Sequence, residues 1–263
     1  SGFNYLQKTE QVYRQARLTG LWKKLDPHLN TDTPAQPPSL KFKTYVGSVA
    51  HAERALLFPF GAAHLENGDL LVSDYHHHAV LRFSANGTFQ SRFGRFGNGP
   101  GALNQPLGLA VGPDQTIYIA DLGNRRIQAF NATGQFVGSI GNSGSDQQRL
   151  AQVCGLAVDN SGNLWVPDIT RHCIQVYSAR GDFLKSVGEG SLHHPVSVCC
   201  LDDGGVVVSD RSDQAIKRLN SDGQLTTTLN SGDHTVGESY SIVYHPNHGL
   251  LVSDTYHCQV LCL

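Results

Sequence analysis

Apolar residues in this chain come in short runs that stop at an aspartate. LLVSD, IYIAD, LWVPD, VVVSD and LLVSD end at Asp74, Asp121, Asp168, Asp210 and Asp254, separated by 47, 47, 42 and 44 residues. Such runs, bounded by Gly, Asn, Asp and Ser, predict strands. A fixed period of this size marks a repeat architecture, so most of the apolar pattern belongs to the fold. The second repeat, PLGLAVGPDQTIYIADLGNRRIQAFNATGQFVGSIG, overlays the third, VCGLAVDNSGNLWVPDITRHCIQVYSARGDFLKSVG. In the second, the β-type runs are GLAV, IYIAD, IQAF and FVGSI. The turns NATGQ and SARGD between the last two runs carry the glycine of a hairpin.

Four antiparallel strands per repeat, tandemly repeated, predict an all-β propeller. A blade cannot cover both of its faces alone, so neighbours pack face to face. The last repeat, YSIVYHPNHGLLVSDTYHCQVLCL, stops after its third strand. Residues 40–46, LKFKTYV, resemble the fourth strands and are expected to complete it, removing an open edge. This counting gives five blades between Leu40 and Leu263, with six as the alternative. Residues 1–38 lie outside the repeat. Leu18, Leu21, Trp22 and Leu25 keep helical spacing, which predicts a short N-terminal helix over roughly 4–25. Pro27, Pro34, Pro37 and Pro38 then mark a linker, and residues 39–263 form the propeller domain.

Composition narrows the function classes. Hydrophobic content of 40% against 16% charged residues is that of a globular chain. A net charge of −2 provides no global basic field for nucleic acid. No apolar run is long enough for a membrane span, and the start lacks the pattern of a signal peptide. The six cysteines, Cys154, Cys173, Cys199, Cys200, Cys258 and Cys262, show no zinc spacing and read as buried free thiols in a reducing, cytoplasmic setting. The sequons at Asn86 and Asn131 fall in predicted hairpins and read as turns. The recurring aspartates read as acceptors of backbone N–H groups in the turns that follow them.

The marks Pro-x-Gly-Leu-Ala-Val, a strand ending in Ala-Asp, and Asn-x-Arg-Ile-Gln-x-Phe in the second repeat resemble the NHL repeat. The likeness is good in the third repeat. It is weaker in the first, fourth and fifth, where the Asn and Arg of the pattern are replaced by His77 and Ala79, Asp213 and Ala215, and His257 and Gln259. It extends over about residues 40–263. NHL propellers usually have six blades and stand at the C-terminus of tripartite-motif (TRIM) ubiquitin ligases, where they recognise proteins or single-stranded RNA. The resemblance thus implies a non-catalytic recognition module, the partner-binding end of such a ligase. The RING and B-box zinc patterns are absent from this sequence.

The repeat gathers the loops between second and third strands at one end of the blades. The candidate binding residues there are Tyr75, His76, Arg95, Arg125, Arg126, Arg171, His172, Arg211, Tyr256 and His257. A protein substrate or signalling partner is the first reading, because Tyr, Arg and His on fixed loops suit a hot spot. Single-stranded RNA is the alternative. Arginines supply phosphate contacts and Tyr75, Phe96 and Tyr256 supply stacking surfaces, although Asp121 and Asp168 are placed to pair with Arg126 and Arg171. A metal-dependent propeller enzyme is the third reading, with His76–His78, His172, His193–His194 and His257 as ligands, as in propeller amidating lyases. No nucleophile elbow or recurring general base accompanies these histidines, so no catalytic residue, metal site or cofactor is assigned.

Overall fold

The computed structural model describes residues 56–230, 239–245, 249–254 and 259–262. The fold is an all-β propeller. Blade 1 comprises β1 (Pro59–His64), β2 (Leu70–Asp74), β3 (Ala79–Phe83) and β4 (Phe89–Phe93). Blade 2 comprises β5 (Pro106–Val111), β6 (Ile117–Asp121), β7 (Arg126–Phe130) and β8 (Phe136–Ile140). Blade 3 comprises β9 (Ala157–Val158), β10 (Leu164–Asp168), β11 (Cys173–Tyr177) and β12 (Phe183–Val187). Blade 4 comprises β13 (Pro195–Cys200), β14 (Val206–Asp210), β15 (Ala215–Leu219) and β16 (Leu225–Asn230). A three-stranded sheet follows, of β17 (Ser239–His245), β18 (Gly249–Asp254) and β19 (Gln259–Cys262). Every sheet is antiparallel and meandering.

Among the described residues four complete blades are present, where five or six were expected. The last repeat has three described strands, β17–β19, and the segment 40–46 that was to complete it lies outside the described residues. The predicted N-terminal helix and linker lie outside them as well. Among the described residues no helix is long and apolar enough to cross a membrane.

The chain divides into two compact units, one of residues 42–189 with blades 1–3, the other containing blade 4 and the three-stranded sheet. In the first unit, successive residues of β6 serve different interfaces. Ile117 and Ile119 pack with Leu71, Val80 and Leu103, toward blade 1. Tyr118 and Ala120 pack with Leu156, Leu164 and Val166 of blade 3. A central strand covered on both sides is apolar throughout, which explains the unbroken runs that end at the aspartates. In the second unit Cys199, Val207 and Ile216 of blade 4 pack with Ile242, Leu250 and Val252.

The first strands of blades 1, 2 and 4 begin alike. Pro59, Pro106 and Pro195 each stand opposite the aspartate of the next strand, and a bulge follows. A first strand position tolerates the missing N–H of proline. Two residues on, the backbones nearly touch. Gly108 N donates to Cys154 O at 2.7 Å, and a Cβ on Gly108 would lie 2.6 Å from that oxygen. The glycine of the Pro-x-Gly motif is thus a contact between blades 2 and 3.

Cys154, Cys173, Cys199 and Cys200 are free thiols. Cys173 and Cys199 are buried, and burial pushes the Cys199 thiol up to about 12. Cys154 and Cys200 are only half-buried, against expectation. Asn131 Oδ1 accepts the amides of Thr133 and Gln135 at 3.0 and 2.9 Å, so this sequon is built as a turn.

Candidate functional site

The strand-end aspartates organise the loop end of each blade. Asp74, Asp121, Asp168 and Asp210 are buried to 1% exposure or less. Each carboxylate accepts the amide of the residue 17 positions earlier, from Leu57 (2.6 Å), Asn104 (2.7 Å), Ala151 (2.6 Å) and His193 (2.8 Å). Three also take the following amide, from Phe58, Gln152 and His194. The expected bonds to the next turn exist as well, from His76 and His77 to Asp74 and from Arg171 to Asp168. The main effect, however, is to clamp the loop that enters the blade onto the loop that joins its second and third strands. Burial works against the Asp74 charge, but the amides of Leu57, His77 and Phe58 and the neighbouring His77 ring outweigh it and hold the carboxyl below its ordinary value.

The fourth residue after each of these aspartates adopts the left-handed backbone conformation. The φ angles are 51° at His78, 54° at Arg125, 55° at His172 and 48° at Gln214. Glycine or asparagine takes this conformation most cheaply. Here long polar side chains occupy it in all four blades.

The candidate residues fall into distinct environments. Tyr75 is half-buried and His76 exposed, and both rings meet Phe58 at centroid distances of 5.6 and 5.5 Å. Phe58 is itself 49% exposed and Leu57 is 59% exposed. Arg95 is exposed beside Phe96, which is 69% exposed and packs against His78 in a tilted pair with ring centroids 4.8 Å apart. Arg125 is exposed at a depression of about 240 Å³ lined also by Leu122, Ala151, Gln152 and Thr170. His172 is exposed.

Arg126 is not on the surface. It is 8% exposed, its Nε donates to Asp121 at 2.8 Å, and its Nη2 donates to Gly99 O and Ala102 O at 3.0 Å. A buried carboxylate requires a partner, and Arg126 is that partner. Arg171 is partly turned the same way: it donates to Arg149 O at 2.8 Å and to Asp146 O, and lies 3.7 Å from Asp168. In the second unit Arg211 is half-buried, its amide bonded to His194 O. Tyr256 and His257 lie outside the described residues.

Leu57, Phe58 and Gln152 escaped the motif reading, although the period contains a signal for them. They occupy the clamp positions before Asp74 and Asp168, just as His193 and His194 do before Asp210.

Among the described residues, one group of three potential metal ligands comes together: His193, Asp210 and Asp213. His193 Nδ1 lies 2.8 Å from the Asp213 carboxylate. The ammonium of Lys217 stands among these oxygens, 2.9 Å from Asp210, 2.6 Å from Ser191 O and in contact with Asp213. A cation of the chain thus provides the charge that a metal would. Burial opposes both charges. For Asp213 the bonds from Lys217 and His193 outweigh it and hold the carboxyl low. For Lys217 the bonds to Asp213 and Asp210 outweigh it and hold the ammonium above its ordinary value.

Comparison with known proteins agrees with this geometry. The NHL repeat model matches residues 103–130, which span β5, β6 and β7 with their loops. No curated protein sequence matches the chain. Among solved structures, a streptogramin B lyase is similar with a TM-score of 0.61 at 16% identity, over 77% of this chain and 63% of that one. Virginiamycin B lyase from Staphylococcus aureus, in a structure with quinupristin, gives 0.61 at 13% identity, over 77% and 65%. The chain therefore spans less than two thirds of either lyase. A chain of a nidogen/laminin complex gives 0.60 at 18% identity, over 74% of this chain and 72% of that one. Identities this low establish a shared fold alone. The chain carries an NHL repeat within an all-β propeller.

Proposed function

We propose that this chain is a non-catalytic recognition module that binds a protein through the loop end of blades 1–3, as the partner-binding part of a larger TRIM-type ubiquitin ligase. The observation that carries the reading is the exposed Leu57, Phe58 and His76 gathered about the half-buried Tyr75, with Phe96 exposed over His78 nearby in the same repeat. Large rings held on clamped loops lose little freedom on binding, and aromatic residues dominate hot spots. Phe58 and Leu57 belong to the clamp through their amides, which leaves their side chains outward.

Single-stranded RNA is the less favoured ligand. Arg126 and Arg171 spend their donors on the chain's own carboxylates and carbonyls, so fewer arginines remain for phosphates. A nidogen/laminin complex among the structural neighbours is a protein assembly, which is compatible with a protein-binding propeller.

The test compares proteins captured by proximity labelling with the wild-type chain and with Phe58→Ser/Tyr75→Ser/Phe96→Ser. The expected outcome is a discrete set of partners lost in the triple variant at an unchanged melting temperature. Identical capture by both proteins would remove the patch from the reading. A fluorescent single-stranded RNA pool is titrated in parallel, and tight binding that collapses between about 50 and 200 mM salt would replace the protein reading by RNA.

A further inference from the structure

The depression at Arg125 has more specific chemistry than the aromatic patch beside it. We propose that it is a carboxylate subsite, which takes the side chain of an aspartate or glutamate in the bound protein segment; the proposal rests on the protein-recognition reading above.

Charge comes first. Asp121 is matched by Arg126, Asp168 by Arg171, and Asp146 lies 3.6 Å from Arg149. No acidic side chain lines the depression. Among the described residues the Arg125 guanidinium has no ion-pair partner, so its charge faces the solvent uncompensated.

Donor geometry points the same way. Thr170 Oγ1 donates to Gln152 Oε1 at 3.4 Å, which holds the amide oxygen and leaves its nitrogen as a donor beside Arg125. A planar guanidinium with a neighbouring amide N–H fits a planar, bidentate carboxylate. Leu122 and Ala151 supply apolar wall for the methylene stem. The backbone beneath is fixed: Gln152 N is bonded to Asp168, and the Arg125 amide to Leu122 O. A preformed site of this kind spends little on ordering when it binds.

Backbone strain adds an independent argument. Arg125 holds φ at 54°, where glycine would be easier. The local fold does not need a guanidinium there, in contrast to Arg126. The subsite is also tied to the aromatic patch. Asn124 donates to Gly97 O at 2.9 Å, next to Phe96. An acidic residue in the partner is therefore expected close to an aromatic or aliphatic one.

The test selects random linear peptides displayed on phage against the whole chain, then measures the synthesised winners by fluorescence anisotropy. The proposal expects a shared acidic residue near an apolar one. Arg125→Gly and Arg125→Glu should each weaken binding about tenfold or more, with Arg125→Gly melting no lower than wild type. Exchanging the peptide's acidic residue for lysine should restore binding to Arg125→Glu. Winners without a shared acidic residue, or affinity indifferent to Arg125→Gly, would overturn the subsite and leave protein recognition standing. Winners that depend on neither Arg125 nor Phe58 place recognition elsewhere, and no winners at all overturn both. Should Arg125→Gly melt early, Gln152→Ala, an exposed position, decides: unchanged affinity there also overturns the subsite.

Discussion

Asp210 is a fully buried carboxylate shared by three donors, the amides of His193 and His194 and the ammonium of Lys217. Lys217 is equally enclosed, with its side chain 5% exposed. Removing one member of a buried pair strands the other, at a cost of about 3–5 kcal/mol. Asp210→Ala is expected to lose stability on that scale. Asp213 touches the same ammonium but is 32% exposed, so water screens it and Asp213→Ala is expected to lose only about 1 kcal/mol. Denaturant midpoints of the two variants measure the difference, and equal losses would mean that Asp213 matters to Lys217 as much as the buried Asp210 does. The aspartates themselves were legible from their period; the pairing of Asp121 with Arg126 was one expectation, yet Arg126 was still expected on the binding face. The left-handed residues were not legible. His78, Arg125, His172 and Gln214 are all polar but share no one functional group, and without glycine nothing in the letters reveals a positive φ.

At the scale of the element, inner strands pack by backbone. The Cβ of an alanine at Gly108 would meet Cys154 O at 2.6 Å and Gly155 Cα at 2.8 Å, two atoms of main chain that cannot swing aside. Overpacking of this kind costs about 1–3 kcal/mol. Gly138 in β8 has nothing within 4 Å of such a Cβ. Gly108→Ala is therefore expected to melt several degrees below wild type and Gly138→Ala at or above it, by calorimetry on both. A fall as large for Gly138→Ala would show that strand glycines matter here for flexibility and not for space. Sequence located β6 and β8 to the residue, because apolar runs and glycine turns both bound them. It marked Gly108 as part of a motif but not its purpose, since the atom it makes room for belongs to the next repeat.

For the whole molecule, the repeat period was enough for the all-β propeller and not for its blade count. A blade is complete only when a fourth strand pairs, and strand-like text such as LKFKTYV carries propensity without naming a partner. The loop face was legible in the same partial way. Positions followed from the period, but the inward turn of Arg126 and the outward turn of Phe58 depend on contacts between loops distant in sequence. The ionisable clamps give the molecule a predictable pH response. The Asp74 and Asp213 carboxyls are held below their ordinary 3.8, so their stabilisation is complete above that value and is lost as pH falls through the depressed ones. Lys217 is raised, so its contribution is complete below its ordinary 10.5 and is lost only as pH rises beyond it. Melting temperature followed downward from neutrality is expected to hold until pH nears 3.8 and then drop, with a shallower drop in Asp213→Asn. A decline already complete above that pH would mean that these carboxyls do not set the acid limit.

The left-handed position after each aspartate has a consequence for how such a chain diverges. Its backbone is set by the clamp and the hairpin, so the strain is similar whichever non-glycine residue stands there. Exchanges among histidine, arginine and glutamine at His78, Arg125, His172 and Gln214 are then close to neutral for the blade while each rewrites what the loop presents. After a repeat is duplicated, copies can drift apart in specificity at the spot where they remain most alike in shape.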